Sequence, residues 1–378
     1  MFLLAKKYKN YDFQINDKFA RTKIKHYKMN SFYKLKVSKI VKEANDTVSI
    51  IFELPESIKN EFNFEPGQYV TLNLNINNEI VRRSYSISSL PDENYIRIAV
   101  KKIPNGKAST FLNEKLAEGD EIEVMPPLGN FKINNINADR SVFIAAGSGI
   151  TPIISMIKFL LKKGNGRVEL YYSNKTINDV IYKEELLALK NNYSDRFTMN
   201  LIFTKEQTAN NDFYGRIDKD KLAVYAQKYD LLTANEYYLC GPEQLINNVN
   251  EFLKEKGVDK NKIHFELFTV SKKEKVTKTN ASFSGKAHVT VIMDGEEFDF
   301  DLDADGDSIL DASIDAGVDA PFSCKGAVCC TCKAQVLEGK VDMEMNYALT
   351  DEEVEQGFIL TCQAHPQSEK VVIDYDVV

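Results

Sequence analysis

Five of the six cysteines fall in the last 55 residues, and four of them, Cys324, Cys329, Cys332 and Cys362, are separated by four, two and 29 residues. Three thiolates converging from the short loop SCKGAVCCTC, joined by a fourth from further along, match the spacing that holds two irons in a 2Fe-2S cluster. Four cysteines can also hold one zinc tetrahedrally, but zinc frameworks usually pair two separated C-x2-C knuckles. Cys330 stands between ligands where a small residue would fit and is read as a non-ligand. A local cluster of this kind differs from a disulfide scaffold, which spreads its cysteines along a short secreted chain. With no apolar leader segment in MFLLAKKYKNYDFQINDKF, the expected compartment is the cytoplasm.

A second group of residues has the types needed to hold phosphate. Gly147, Gly149, Thr151 and Pro152 follow the apolar run SVFIAA directly. The glycines let backbone approach a ligand, Thr151 is a good N-cap, and Pro152 suits a first helical turn. A helix N-terminus after a strand favours a pyrophosphate, although any tight strand-to-helix turn has the same look.

These motifs resemble two known families. SCKGAVCCTCKAQVLEGKV and the later LTCQAHP resemble the plant-type ferredoxin domain, which implies a β-grasp fold, a 2Fe-2S cluster near the surface and one-electron transfer. Arg83-Ser84-Tyr85-Ser86, preceded by the run FEPGQY at residues 64–69, resembles the flavin signature of the ferredoxin-NADP reductase family. By that resemblance Tyr85 stacks on the flavin ring of FAD, Ser86 bonds its reacting edge, Arg83 neutralises its phosphate and Val100 lies in the same site. Gly106, Lys107, Ser109 and Thr110 would form the pyrophosphate loop. G-x-G-x-T-P at 147–152 matches the same family, as does Cys240-Gly241-Pro242, which would place Cys240 beside the nicotinamide. Glu266 and Phe268 in HFELF resemble its last segment, near the flavin. Ser173, Lys175 and Arg216 are read as holding a 2′-phosphate, because no Asp or Glu lies between residues 170 and 178 to select NADH. NADPH is therefore predicted over NADH, with a solvated loop lysine as the alternative for Lys175.

Three modules must position these groups. Residues 31–135 carry six short alternating runs (KLKVSKIV, TVSIIFEL, GQYVTLNLNI, RRSYSISS, YIRIAVKKI, EIEVMPP) and predict a closed antiparallel β-barrel for the flavin. Across 136–268 the apolar runs SVFIAA, VELYYS, FTMNLIFT and YYLC alternate with helical stretches, which predicts an α/β parallel-sheet nicotinamide domain. Residues 269–283, rich in Lys, Thr and Ser, read as a linker, and 284–378 as an α+β ferredoxin domain that opens with a hairpin around Asp294-Gly295. Residues 1–30, with eight Lys and Arg against two Asp, read as a disordered basic extension.

Net charge −7 conceals an asymmetry: residues 284–378 carry 5 Lys and 21 Asp and Glu, a net of −16, leaving +9 upstream. Such fields favour electrostatic docking of the acidic module, although they also serve solubility alone. The longest nearly apolar run, 141–161, is broken by two Gly, a Pro, a Lys and hydroxyl residues, so no membrane span is predicted. Nucleic acid is not an expected partner. The three resemblances in this order imply an oxidoreductase that takes electrons from a nicotinamide dinucleotide to the oxygenase component of a multicomponent system. A reductase for another hydroxylase or desaturase, or a redox-sensing carrier without a dedicated oxygenase, remains an alternative, because the acceptor lies outside the chain.

Overall fold

Alternation of apolar and polar residues builds the first sheet. A computed structural model describes residues 32–269 and 283–377; the predicted basic extension and most of the predicted linker lie outside them. Strands β1 (Tyr33–Ala44), β2 (Thr47–Glu53), β3 (Tyr69–Ile76), β4 (Glu79–Ser86), β5 (Tyr95–Lys101) and β6 (Glu121–Leu128) form one antiparallel sheet in the order β4-β3-β6-β1-β2-β5. A bridge between Ile87 and Ile98 brings its two edges together, so the sheet closes on itself as a barrel. Leu35, Val37, Ile50, Val70, Leu72, Ile98 and Val100 fill the interior and are fully buried. Helix α1 (Lys107–Glu114) packs Ala108 and Leu112 against this interior.

The second sheet is parallel, in the order β11-β10-β7-β8-β9. Its strands are β7 (Arg140–Ala146), β8 (Arg167–Asn174), β9 (Phe197–Phe203), β10 (Glu236–Gly241) and β11 (Ile263–Leu267). Helices α2 (Ile150–Lys163), α3 (Lys183–Asn192), α4 (Lys219–Lys228) and α5 (Glu243–Glu255) connect them. Burial on both faces explains why these strands read as continuous apolar runs. The order reverses at β7, since β8 lies on one side and β10 on the other; in open α/β sheets that switch point is where ligands bind, outside the carboxyl ends of the strands.

The third sheet runs β13-β12-β18-β14-β16, from β12 (Lys286–Met293), β13 (Glu296–Asp303), β14 (Lys333–Glu338), β16 (Phe358–Leu360) and β18 (Lys370–Asp374), with β15 (Val341–Met343) pairing β17 (Ala364–Pro366) apart from it. Helices α6 (Ile309–Asp315) and α7 (Asp351–Glu355) complete the module. The hairpin turn sits at Asp294-Gly295, where φ values of 55° and 77° demand the left-handed conformation that these two residues tolerate. The cluster-type cysteines lie on the long loop between α6 and β14, and at the end of β16.

Among the described residues no helix is long and apolar enough to cross a membrane.

Candidate redox site

Cysteine geometry comes first because it tests whether the residues fit a cluster. Cys324 and Cys329 place their sulfurs 3.1 Å apart, and Cys332 and Cys362 form a second hydrogen-bonded pair. In the first pair the Cys329 thiol donates to Cys324, whose pKa falls to about 7 through that bond, with the N–H groups of Gly326 and Val328 helping. The two pairs also face each other, Cys362 acting electrostatically on Cys324 and Cys329 on Cys332. Two thiol pairs fit two irons, each with two protein sulfurs, better than a single tetrahedral zinc. Lys325 and Ala327 adopt φ of 50° and 60°, an uncommon conformation for residues with a Cβ, as the loop turns N–H groups toward the sulfurs. Cys330 turns away: its Sγ reaches the Ala348 carbonyl at 3.4 Å and faces Asn130.

The barrel meets this loop directly. In the β3–β4 ladder Tyr69 lies opposite Ser86, Val70 opposite Tyr85 and Thr71 opposite Ser84. Ser86 approaches the Glu266 carboxyl at 3.4 Å, and Glu266 is the cross-strand neighbour of Cys240 in the parallel sheet. Burial, with a smaller contribution from nearby Cys329, raises the Glu266 pKa to about 8. Cys240 is fully buried, and desolvation holds its thiol neutral. Glu266 thus stands where the barrel, the parallel sheet and the cysteine loop meet. Tyr85 is half-buried, and desolvation pushes its hydroxyl pKa up. Arg83 is exposed, its guanidinium donating to the Arg82 carbonyl at 2.7 Å. Phe268 is half-exposed just beyond β11.

One sequence assignment changes. Thr151 is not the N-cap of α2; Gly149 holds that position, and the Thr151 hydroxyl donates back to the Ser148 carbonyl at 2.9 Å, because residues 147–149 form a short 3-10 turn that starts the helix early. The Ser109 hydroxyl accepts from Ile103 N–H and lies 3.3 Å from the Gly106 carbonyl, while Lys107 pairs with Glu79 at 2.6 Å on the surface. Thr110 follows it in α1, where Gly106 is the N-cap. The Val100 side chain lies in the barrel core.

The glycine loop of the parallel sheet packs closely. A Cβ at Gly149 would lie 2.0 Å from the Cys240 carbonyl oxygen, which brings the α2 N-terminus against β10. Pro152 lies in the first turn of α2, and Gly241 and Pro242 lead into α5. Lys101, which the sequence reading missed, ends β5 and brings its ammonium within 3.8 Å of where a Cβ on Gly147 would stand. Lysine at a strand end carries no local signal, so the approach of barrel to sheet was needed to find it. Asn174 pairs with Phe203 across β8 and β9, and Phe203 bridges to Tyr214, so Lys175 and Arg216, both exposed, follow this row at one edge of the sheet. Lys205 N–H bonds the Lys175 carbonyl, adding a third cationic residue. Ser173 is buried in β8. The same edge also holds a carboxylate: Glu206 accepts the Ile177 N–H at 2.8 Å from a different strand end, where inspection of 170–178 alone could not see it.

Comparison with known proteins assigns all three modules. An oxidoreductase FAD-binding domain matches residues 34–133, an oxidoreductase NAD-binding domain 143–251, and a 2Fe-2S iron-sulfur cluster binding domain 291–367. The chain is 37% identical to a subunit of the 1,2-phenylacetyl-CoA epoxidase of Escherichia coli (strain K12), over 92% of this chain and 99% of that one. It is 33% identical to the ferredoxin reductase component of 3-ketosteroid-9-alpha-monooxygenase of Rhodococcus rhodochrous, over 90% and 96%. The solved structure of phthalate dioxygenase reductase, described as modular for electron transfer from pyridine nucleotides to [2Fe-2S], superposes with a TM-score of 0.57 at 26% identity, over 91% of this chain and 98% of that one.

Proposed function

The chain belongs to the family that contains this 1,2-phenylacetyl-CoA epoxidase component and the 3-ketosteroid-9-alpha-monooxygenase reductase components, and from that premise we propose that it passes electrons from NADPH through FAD and a 2Fe-2S cluster to a partner oxygenase, the phenylacetyl-CoA epoxidase in phenylacetate catabolism. One observation carries the internal part of this reading: Ser86, Cys240 and Glu266 come together from two modules beside the loop of the third that carries Cys329. When bound, a nicotinamide gives two electrons to a flavin as hydride, and a 2Fe-2S cluster carries them onward singly.

The protein's own task is placement. Tyr85 offers a half-buried ring to the flavin, Ser86 a hydroxyl, and Arg83 an exposed guanidinium for phosphate. Gly106 and the following turn of α1 supply backbone N–H groups, with Lys107 and Thr110 nearby. Gly147 and Gly149 would admit the dinucleotide's pyrophosphate, Cys240 and Gly241 lie at the end of β10 beside them, and Glu266 stands next to Cys240 and Ser86. Cys324, Cys329, Cys332 and Cys362 hold the irons. The working modules are 31–135, 136–268 and 284–378, joined by 269–283. We place the protein in the cytoplasm, a reading that the local clustering of five cysteines, unlike a spread disulfide scaffold, supports. Growth on phenylacetate and reconstitution with the epoxidase component test the choice of partner: no NADPH-driven turnover with it, but turnover with another oxygenase, redirects the assignment.

Two predictions arise from the cationic residues. Lys175→Glu is expected to lower kcat/KM for NADPH about tenfold while sparing or improving NADH, because a charge-assisted phosphate bond is lost and a repulsion gained. Equal loss with both cofactors, or a wild type that prefers NADH, rejects that role and points to Glu206 as the residue that sets the preference. Lys101→Met is expected to raise the KM for either cofactor by about tenfold with little change in kcat, since pyrophosphate is common to both. Steady-state kinetics with both cofactors decide it; a fall in kcat alone would remove Lys101 from the binding site.

A further inference from the structure

Tyr69 opens β3 and is almost fully buried, but its hydroxyl does not face its own sheet. It accepts the Cys330 N–H at 2.8 Å and lies 3.3 Å from the Thr331 hydroxyl. Thr71, two residues along and on the same face, reaches Thr331 at 3.4 Å and Ser84 at 3.0 Å, and Ser84 donates to Ser323 at 2.9 Å. Arg82 closes the row, donating to the Asp319 carboxylate at 2.9 Å and the Ala320 carbonyl at 3.3 Å while covering the Phe322 ring. Among the described residues Arg82–Asp319 is the ion pair that crosses from barrel to ferredoxin module. The contact beside the cluster loop is therefore a ladder of hydroxyls ending in a guanidinium, with the Asn130 amide donating separately to the Ala348 carbonyl at 3.1 Å and to Glu353 at 2.7 Å. Such bonds contribute only about 1 kcal/mol each, but they fix direction and distance closely.

We propose that Tyr69 is a positioning residue for internal electron transfer. It is the direct cross-strand partner of Ser86 in the barrel, and its hydroxyl grips the two residues that lie between Cys329 and Cys332. One side chain thus ties the flavin-bearing ladder to the middle of the cluster loop. The step it serves is the loss of one electron by the reduced flavin and its gain by the oxidised cluster; Tyr69 forms and breaks no bond and moves no proton. Electron transfer slows steeply with distance, so a loop freed to drift by an ångström or two transfers more slowly even when both groups are bound. The proposal rests on the flavin and cluster assignments made above.

The test uses the full-length protein loaded with flavin and iron. Anaerobic stopped-flow mixing with NADPH separates flavin bleaching from cluster reduction, and amide hydrogen exchange reports the loop independently of activity. Tyr69→Phe and Thr331→Val each remove one hydroxyl at nearly constant volume. The expected result is bleaching within about twofold of wild type and cluster reduction slowed about tenfold in each, with the double variant no slower than either single. Exchange in residues 323–333 should be about tenfold faster in Tyr69→Phe, with iron content unchanged. Cluster reduction within about twofold of wild type in both variants, or unchanged loop exchange, overturns the proposal. If Tyr69→Phe loses iron, the rate in Thr331→Val decides alone. A wild type that binds no flavin or iron would instead overturn the assignments beneath it.

Discussion

Replacing Cys332 with Ser is expected to take the iron content from about two per chain to near zero while NADPH still bleaches the flavin. Cys324→Ser, Cys329→Ser and Cys362→Ser should behave alike, because in the proposed ligand set the contacting pairs Cys324/Cys329 and Cys332/Cys362 would each hold one iron, and losing either would leave half a cluster. Delivery of electrons to the oxygenase should fall to the background of a protein without a cluster. Cys330→Ser should retain iron and transfer, since its sulfur faces Ala348 and Asn130. Iron analysis and the visible spectrum of the five variants read this directly. If Cys330→Ser loses iron and Cys332→Ser keeps it, the ligand set is wrong.

The second large effect is steric. Gly149→Ala puts a methyl group 2.0 Å from the backbone oxygen of Cys240, an overlap that only movement of α2 or β10 can relieve. The expected cost is about 3 kcal/mol, or some 6 to 12 °C in the melting of the nicotinamide domain. Because the loop that moves is the one proposed to admit pyrophosphate, kcat/KM for NADPH should fall about a hundredfold. Gly119→Ala is the control. Gly119 has φ +97° but open space around it, so the strain of about 1 kcal/mol comes from backbone conformation alone, with kinetics unchanged. Equal costs at the two positions would show that close packing of helix on strand is not the function of Gly149.

Strand periodicity made the barrel legible from the amino acids alone: all six short runs appear as strands, and the bridge at Ile87 and Ile98 supplies the closure. The parallel sheet was read from SVFIAA, VELYYS, FTMNLIFT and YYLC, but β11 was not named as a strand and neither α3 nor α4 as a helix. Both helices are polar over most of their surface, with one buried residue in α3 and two in α4, so little apolar periodicity marks them. The 2Fe-2S module was visible because three of its four candidate cysteines lie within nine residues, Cys324 to Cys332, in a diagnostic spacing. What sequence hid were contacts made across modules: Lys101 beside the Gly147 loop, Glu206 at Ile177, and the Tyr69 grip on Cys330. Each depends on two distant segments whose local patterns are ordinary. Thr151 misled for a different reason, since the 3-10 turn at 147–149 starts the helix before the residue best suited to cap it.

The central claim is that electrons enter at the flavin and leave through the cluster, in that order and within one chain. Anaerobic mixing of the loaded protein with NADPH, followed by rapid freezing, measures it by comparing the loss of flavin absorbance with the growth of the reduced-cluster electron paramagnetic resonance signal. The account predicts that flavin absorbance falls first, that the cluster signal then rises to about one spin per chain, and that Cys332→Ser shows the first phase without the second. A cluster that is reduced before or without the flavin, or one that stays oxidised beside a reduced flavin yet accepts electrons from dithionite, would contradict it.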